Sequence, residues 1–201
     1  ARPAGAVAGS LAAEGVTLAR RAWQDKSDRI LRFRDTAEQV SGTPFHELVE
    51  EGGESLRELL ARSIQASSQS YDPWKVETLA RAFVSGAKDP AAIDELLVLV
   101  DLFDRLQVPH VRVLAVLYSR RTGGSETAVQ LPEFRAHDPA LGNVVIPLAR
   151  QLEAEGLVNY RKAEPQTYWI VELTQLGSYV VDLLNSIGAG LTAKDFSRSP
   201  T

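Results

Sequence analysis

The chain has 201 residues, enough for one large domain or two small ones built around a real hydrophobic core. Its 44% hydrophobic and 24% charged residues are those of an ordinary soluble globular protein, and no apolar run approaches the ~20 residues a membrane span needs. Cysteine is absent, which excludes disulfides, thiolate catalysis and cysteine-based zinc sites, and the net charge of −4 gives no overall basic excess.

The start of the chain is rich in alanine and glycine, and residues 1–13 are expected to be flexible. It lacks the basic lead of a secretory signal, so a cytoplasmic location is expected. Methionine is absent too, position 1 included, as in a processed or trimmed chain. From Glu14 to Val40 the pattern is helical. Leu18, Ala22, Ile30, Phe33 and Ala37 share a stripe with Trp23 beside it. Arginines and lysines crowd the rest, but Asp25, Asp28 and Asp35 are interleaved with them. That favours intrahelical pairs, each contributing only ~0.2–0.5 kcal/mol, over a nucleic-acid stripe. Trp23 and Phe33 on such a helix read as packing or dimer contacts.

Ser41-Gly42-Thr43-Pro44 breaks the helix. The next helical stretch, 44–68, is split by Gly52-Gly53 and carries Leu56, Leu59, Leu60 and Ile64 at helical spacing. Asp72-Pro73 and Asp89-Pro90 each read as an N-cap followed by a first-turn proline. The first opens a helix with Val76, Leu79, Ala80 and Phe83. The second opens the most apolar helix of the chain, with Ile93, Leu96, Leu97, Val100, Phe103 and Leu106. Residues 1–107 are therefore expected to form a helical region that packs on the domain that follows.

Candidate catalytic groups are few. Glu47, Glu51 and Glu54 could share a helical face and, in a metal-dependent hydrolase, hold a divalent ion; a solvated helix face is the competing reading. His46, His110 and His137 have only adjacent acids beside them, and adjacent residues do not share a helical face. The glycine pairs at 52–53 and 123–124 lack the lysine and strand–helix context of a phosphate loop. No enzyme, metal or cofactor is expected.

From 108 to 187 the order changes. An apolar helix (VRVLAVLYSR, buried through Val113, Leu114, Val116 and Leu117) is followed by a short helix around Leu131 and Phe134. A third carries Leu141, Val145, Leu148 and Leu152. Gly156 stops that helix. Two strand-like runs flank a turn, with Tyr168, Ile170 and Leu173 set against Trp169 and Val171, and Thr174 caps a last helix. Gly123 to Gln130 reads as a mobile loop, and 188–201 as a tail.

The run LARQLEAEGLVNY…YWIVELTQLGSYVVDLL resembles the recognition helix, wing and return helix of MarR-like winged helix-turn-helix proteins. The resemblance covers about 75 residues. It implies a mainly α chain in which an N-terminal helical region packs on a C-terminal winged helix with a small two- to three-stranded β wing. It also implies that the third helix and wing meet double-stranded DNA through Asn143, Ile146, Pro147, Arg150, Gln151, Arg161 and Lys162, with Arg120, Arg121 and Arg135 on phosphates. Val144, Ile146 and Pro147, however, stand where DNA readers show polar groups, and residues 111–201 carry cationic and acidic side chains in equal number. A non-enzymatic association protein that uses this face for a protein partner or self-association is therefore expected ahead of a bacterial transcription regulator.

Overall fold

The structure, a computed structural model, describes residues 5–50, 52–122, 128–162 and 169–186, with side chains described in 21–50, 52–120, 129–130, 132–161 and 171–185. It is mainly helical with one small antiparallel sheet. The chain divides into two compact units at Asp104/Arg105. No described helix is long and apolar enough to cross a membrane.

The first unit is helical. Helix α1 spans Gly5–Ser41 and is longer than the periodicity of 14–40 predicts. It ends where Gly42 takes a left-handed φ of 74°, a conformation open to a residue without Cβ. Helices α2 (Phe45–Glu50) and α3 (Glu54–Gln69) are separated at the glycine pair, and α4 (Pro73–Lys88) and α5 (Ile93–Arg105) follow. Phe33 of α1, Phe45 of α2 and Phe83 of α4 meet with ring centroids 5.7–6.3 Å apart, at the centre of a core that includes Leu59, Leu79 and Val100.

Two expectations are corrected here. In α3 the buried side is Leu56, Leu59, Ser63, Ala66 and Ser67, while Leu60 and Ile64 are only half-buried. Helix α3 is flanked by both α1 and α4, so small residues, not leucines, fill its closest approaches. At α4, Asp72 makes no side-chain cap bond, although Pro73 does open the helix; Ser70 Oγ instead accepts from the Asp72 N–H at 3.1 Å. Asp89 behaves as predicted and accepts from the Ala91 N–H at 3.2 Å. Lys75, among the most buried polar side chains of the unit, donates to the Asp104 carbonyl at 2.8 Å.

The second unit runs α6 (Val108–Thr122), β1 (Ala128–Gln130), α7 (Leu131–His137), a 3-10 turn (Pro139–Leu141), α8 (Val145–Ala154), β2 (Val158–Lys162), β3 (Trp169–Leu173) and α9 (Gln175–Ser186). Val108-Pro109, read from sequence as a separator, is the first turn of α6, where proline's missing N–H costs no helix bond. The stretch read as a loop from Gly123 ends in a strand: β1 pairs with β3, and the sheet order β1-β3-β2 puts β3 in the middle. Residues 123–127 and the turn at 163–168 lie outside the described residues. Val129, Val158, Tyr160 and Val171 line the inner face of the sheet. Val171 is thus buried as alternation requires, and Leu173 at the strand end is half-buried.

Candidate functional site

The site begins with what fixes α8. Val145, Leu148, Ala149 and Leu152 are buried, and they lie on one side because they recur at three and four residues. The connection into the helix is clamped from α6. The Arg112 guanidinium grips the Asp138 carboxylate with Nε (2.7 Å to Oδ2) and Nη2, both side chains being largely buried. The same carboxylate accepts from the Ala140 N–H at 3.1 Å and so caps the 3-10 turn. Arg135 Nε donates to the Gly142 carbonyl at 3.1 Å, and its stem lies so close to Gly142 that a Cβ there would press into it.

At its far end α8 stops at Gly156, with φ 72°. Thr174 Oγ1 donates to the Gly156 carbonyl at 2.7 Å and accepts from the Gly177 N–H at 2.9 Å, while the Thr174 N–H reaches the Leu157 carbonyl at 3.1 Å. The predicted cap at Thr174 is present. Gly177 sits directly on the Leu157 carbonyl, where no Cβ fits. The "glycine, leucine" stop and the "threonine, x, x, glycine" start are two halves of one lock.

With both ends fixed, the outward side of α8 carries Asn143, Val144, Ile146, Pro147 and Arg150, all exposed. Val144 and Ile146 are each 42% exposed. Pro147 is the third residue of the helix, where its N–H would have had no helical partner. These residues stand together as the sequence predicts. Gln151 does not join them. Its Oε1 lies 2.7 Å from His110 Nε2, and His110 Nδ1 accepts from the Gln107 N–H at 3.0 Å. Since Nδ1 is an acceptor there, the imidazole is assigned as the Nε2–H tautomer donating to Gln151.

The cations have local partners. Arg120 is bonded to Glu133 at 2.7 Å, Arg161 lies 3.9 Å from Glu172, and Arg105 makes a two-pronged pair with Glu155 at 2.8 Å. Arg135 bonds a carbonyl, as above. Arg150 lies near Tyr160: burial pushes the Tyr160 hydroxyl up from its ordinary value, Arg150 opposes this, and Glu153 adds to it. The side chains of Arg121 and Lys162 are outside the described residues. Arg112, absent from the sequence-predicted set, is the most buried of these paired arginines; its partner lies 26 residues away, and no local pattern marks it.

The acid cluster is dispersed. Glu47 and Glu50 are exposed on α2, Glu54 is exposed at the start of α3, and Glu51 is outside the described residues. No three His, Asp or Glu among the described residues gather as metal ligands would. No protein-family model, curated protein or solved structure matches this chain.

Proposed function

We propose that the second unit is a winged helix-turn-helix module of MarR-like type, that α8 uses it to bind a protein, and that the chain is a non-enzymatic, cytoplasmic association protein. The order helix, strand, helix, helix, strand, strand, helix, with the last strand central in the sheet, supports the module. The observation that carries the ligand is the composition of the exposed side of α8. Val144, Ile146 and Pro147 form an apolar patch at the end of the helix that a DNA reader would put against base edges. Apolar groups at the centre with Asn143 and Arg150 at the margin are the composition of a protein interface.

The regulator reading draws on Asn143 and Arg150, which are exposed and have base-reading chemistry. Against it stands the pairing of Arg120, Arg161 and Arg135, since DNA affinity comes mainly from cations that displace phosphate counterions. A photoreactive amino acid placed at Ile146 in cells decides between the two. A covalent protein adduct is expected, with none when the same group stands at Glu95. A DNA adduct at Ile146 selects the regulator, and the absence of any adduct removes both readings.

A further inference from the structure

Another exposed surface lies on α1, independent of the α8 reading. Trp23 is 74% exposed and Leu31 46%, although Phe33 two residues later is fully buried. Two residues turn a helix by about 200°, so Leu31 points away from the core that Phe33 enters. Trp23, Ser27 and Leu31 are spaced by four and form one ridge along that outer side. Ser27 Oγ already donates to the Trp23 carbonyl at 3.0 Å, so covering this serine leaves no donor unpaired.

We propose that this ridge is a self-association site at which two copies of the chain cross antiparallel, with Ser27 at the crossing point. The ridge is its own complement under a two-fold axis. Trp23 and Leu31 lie four residues, ~6 Å, either side of Ser27, so the indole of each copy meets the leucine of the other. The small Ser27 side chains let the helices approach. Charge follows the same symmetry. Arg21 is about 9 Å before Ser27 and Asp35 about 12 Å after it, on the same flank, which brings Arg21 of each copy to Asp35 of the other. Asp35 takes both Arg34 bonds on Oδ1, at 3.0 and 2.7 Å, and keeps Oδ2 for that contact. A parallel crossing would set Trp23 on Trp23 and Arg34 on Arg34. The ridge is short, so the dimer is a weak one, in the micromolar range.

The test uses sedimentation equilibrium and cysteine cross-linking of the full chain, which has no cysteine of its own. Wild type is expected to dimerise, and L31E to weaken the dimer by about tenfold or more. I146E is expected to leave it unchanged, which separates this surface from α8. S27C, with Trp23 and Leu31 intact, is expected to form a disulfide dimer on mild oxidation. W23C is expected to link to L31C in a mixture more readily than either links to itself. A wild-type monomer at all concentrations overturns the proposal, as does a dimer that L31E leaves intact or I146E abolishes. Self-linking of W23C and L31C in preference to mixed linking overturns the antiparallel crossing.

Discussion

Replacing Gly177 by alanine sets two effects of opposite sign against each other. Gly177 is in the first turn of α9, and helix propensity alone favours alanine there by about 1 kcal/mol. The structure predicts the reverse. A Cβ on Gly177 would overlap the Leu157 carbonyl oxygen, stand 2.9 Å from the carbonyl carbon, and lie 3.1 Å from Leu173 Cδ2. The obstacle is backbone at the turn after α8, which cannot rotate aside as a side chain does. The start of α9 must withdraw by roughly 1 Å to restore ordinary contact distances. That movement strains the bonds from Gly177 N–H to Thr174 and from Thr174 to Gly156 and Leu157. Overpacking contributes ~1–3 kcal/mol, and each weakened bond about 1 kcal/mol. The net expectation is a loss of about 3 kcal/mol. Urea unfolding followed by far-UV circular dichroism measures it, with hydrogen exchange at the β2–β3 amides to locate it. A G177A variant as stable as wild type, or more stable, would refute the backbone-contact reasoning.

Two other substitutions probe the interior. Burial holds the Lys75 ammonium below its ordinary value, with Asp104 and Asp72 pulling the other way. At pH below the lowered native value both states are protonated and the full desolvation cost weighs on the fold. As pH rises from there to the ordinary lysine value, the unfolded chain binds more protons than the native one, so stability rises. K75M removes the charge; its stability advantage over wild type should shrink across that alkaline window, and an advantage that does not change with pH would contradict the assignment. D138N should cost about 2 kcal/mol by discharging the pair with Arg112 while keeping an acceptor for Ala140. D138A should cost about 1 kcal/mol more through the lost cap. A neutral D138N in urea titration would mean the pair contributes no stability.

Features legible in the sequence are those written in short stretches. The break after Ser41, the stop at Gly156, the caps at Asp89 and Thr174, and the buried faces with Val76, Leu79, Phe83, Leu114 and Leu117 all follow from local chemistry or from a 3.6-residue period. Features that escaped depend on partners far along the chain. Asp138 reads as a neighbour of His137, yet it answers to Arg112. Asp72 has the look of a cap, yet its backbone is held by Ser70. Ser63 and Ser67 look like surface serines, yet α3 is covered on two sides and they are fully buried. Periodicity states that a helix has an inside; it does not state how many neighbours that inside has.

The same non-local pairing governs what the cations of the second unit can do. Counting arginines along the sequence gives Arg120 and Arg135 to phosphate, as the winged-helix resemblance implies. In the fold, Arg120 reaches Glu133 across 13 residues, and Arg135 holds the carbonyl that ends the turn into α8. A phosphate would have to displace a carboxylate already in place at the first and a helix-positioning bond at the second, so each contact gains only the difference between two partners. Arg112 is further from release, because its pair with Asp138 sets where α8 begins. The exposed apolar residues face no such competition. Val144 and Ile146 have only water to lose, and covering them is favourable by ~25 cal/mol per Å² of apolar surface. On one face, then, the available driving force is hydrophobic and the electrostatic one is already spent within the fold, which is why Ile146, and not an arginine, is the position at which to ask what this chain binds.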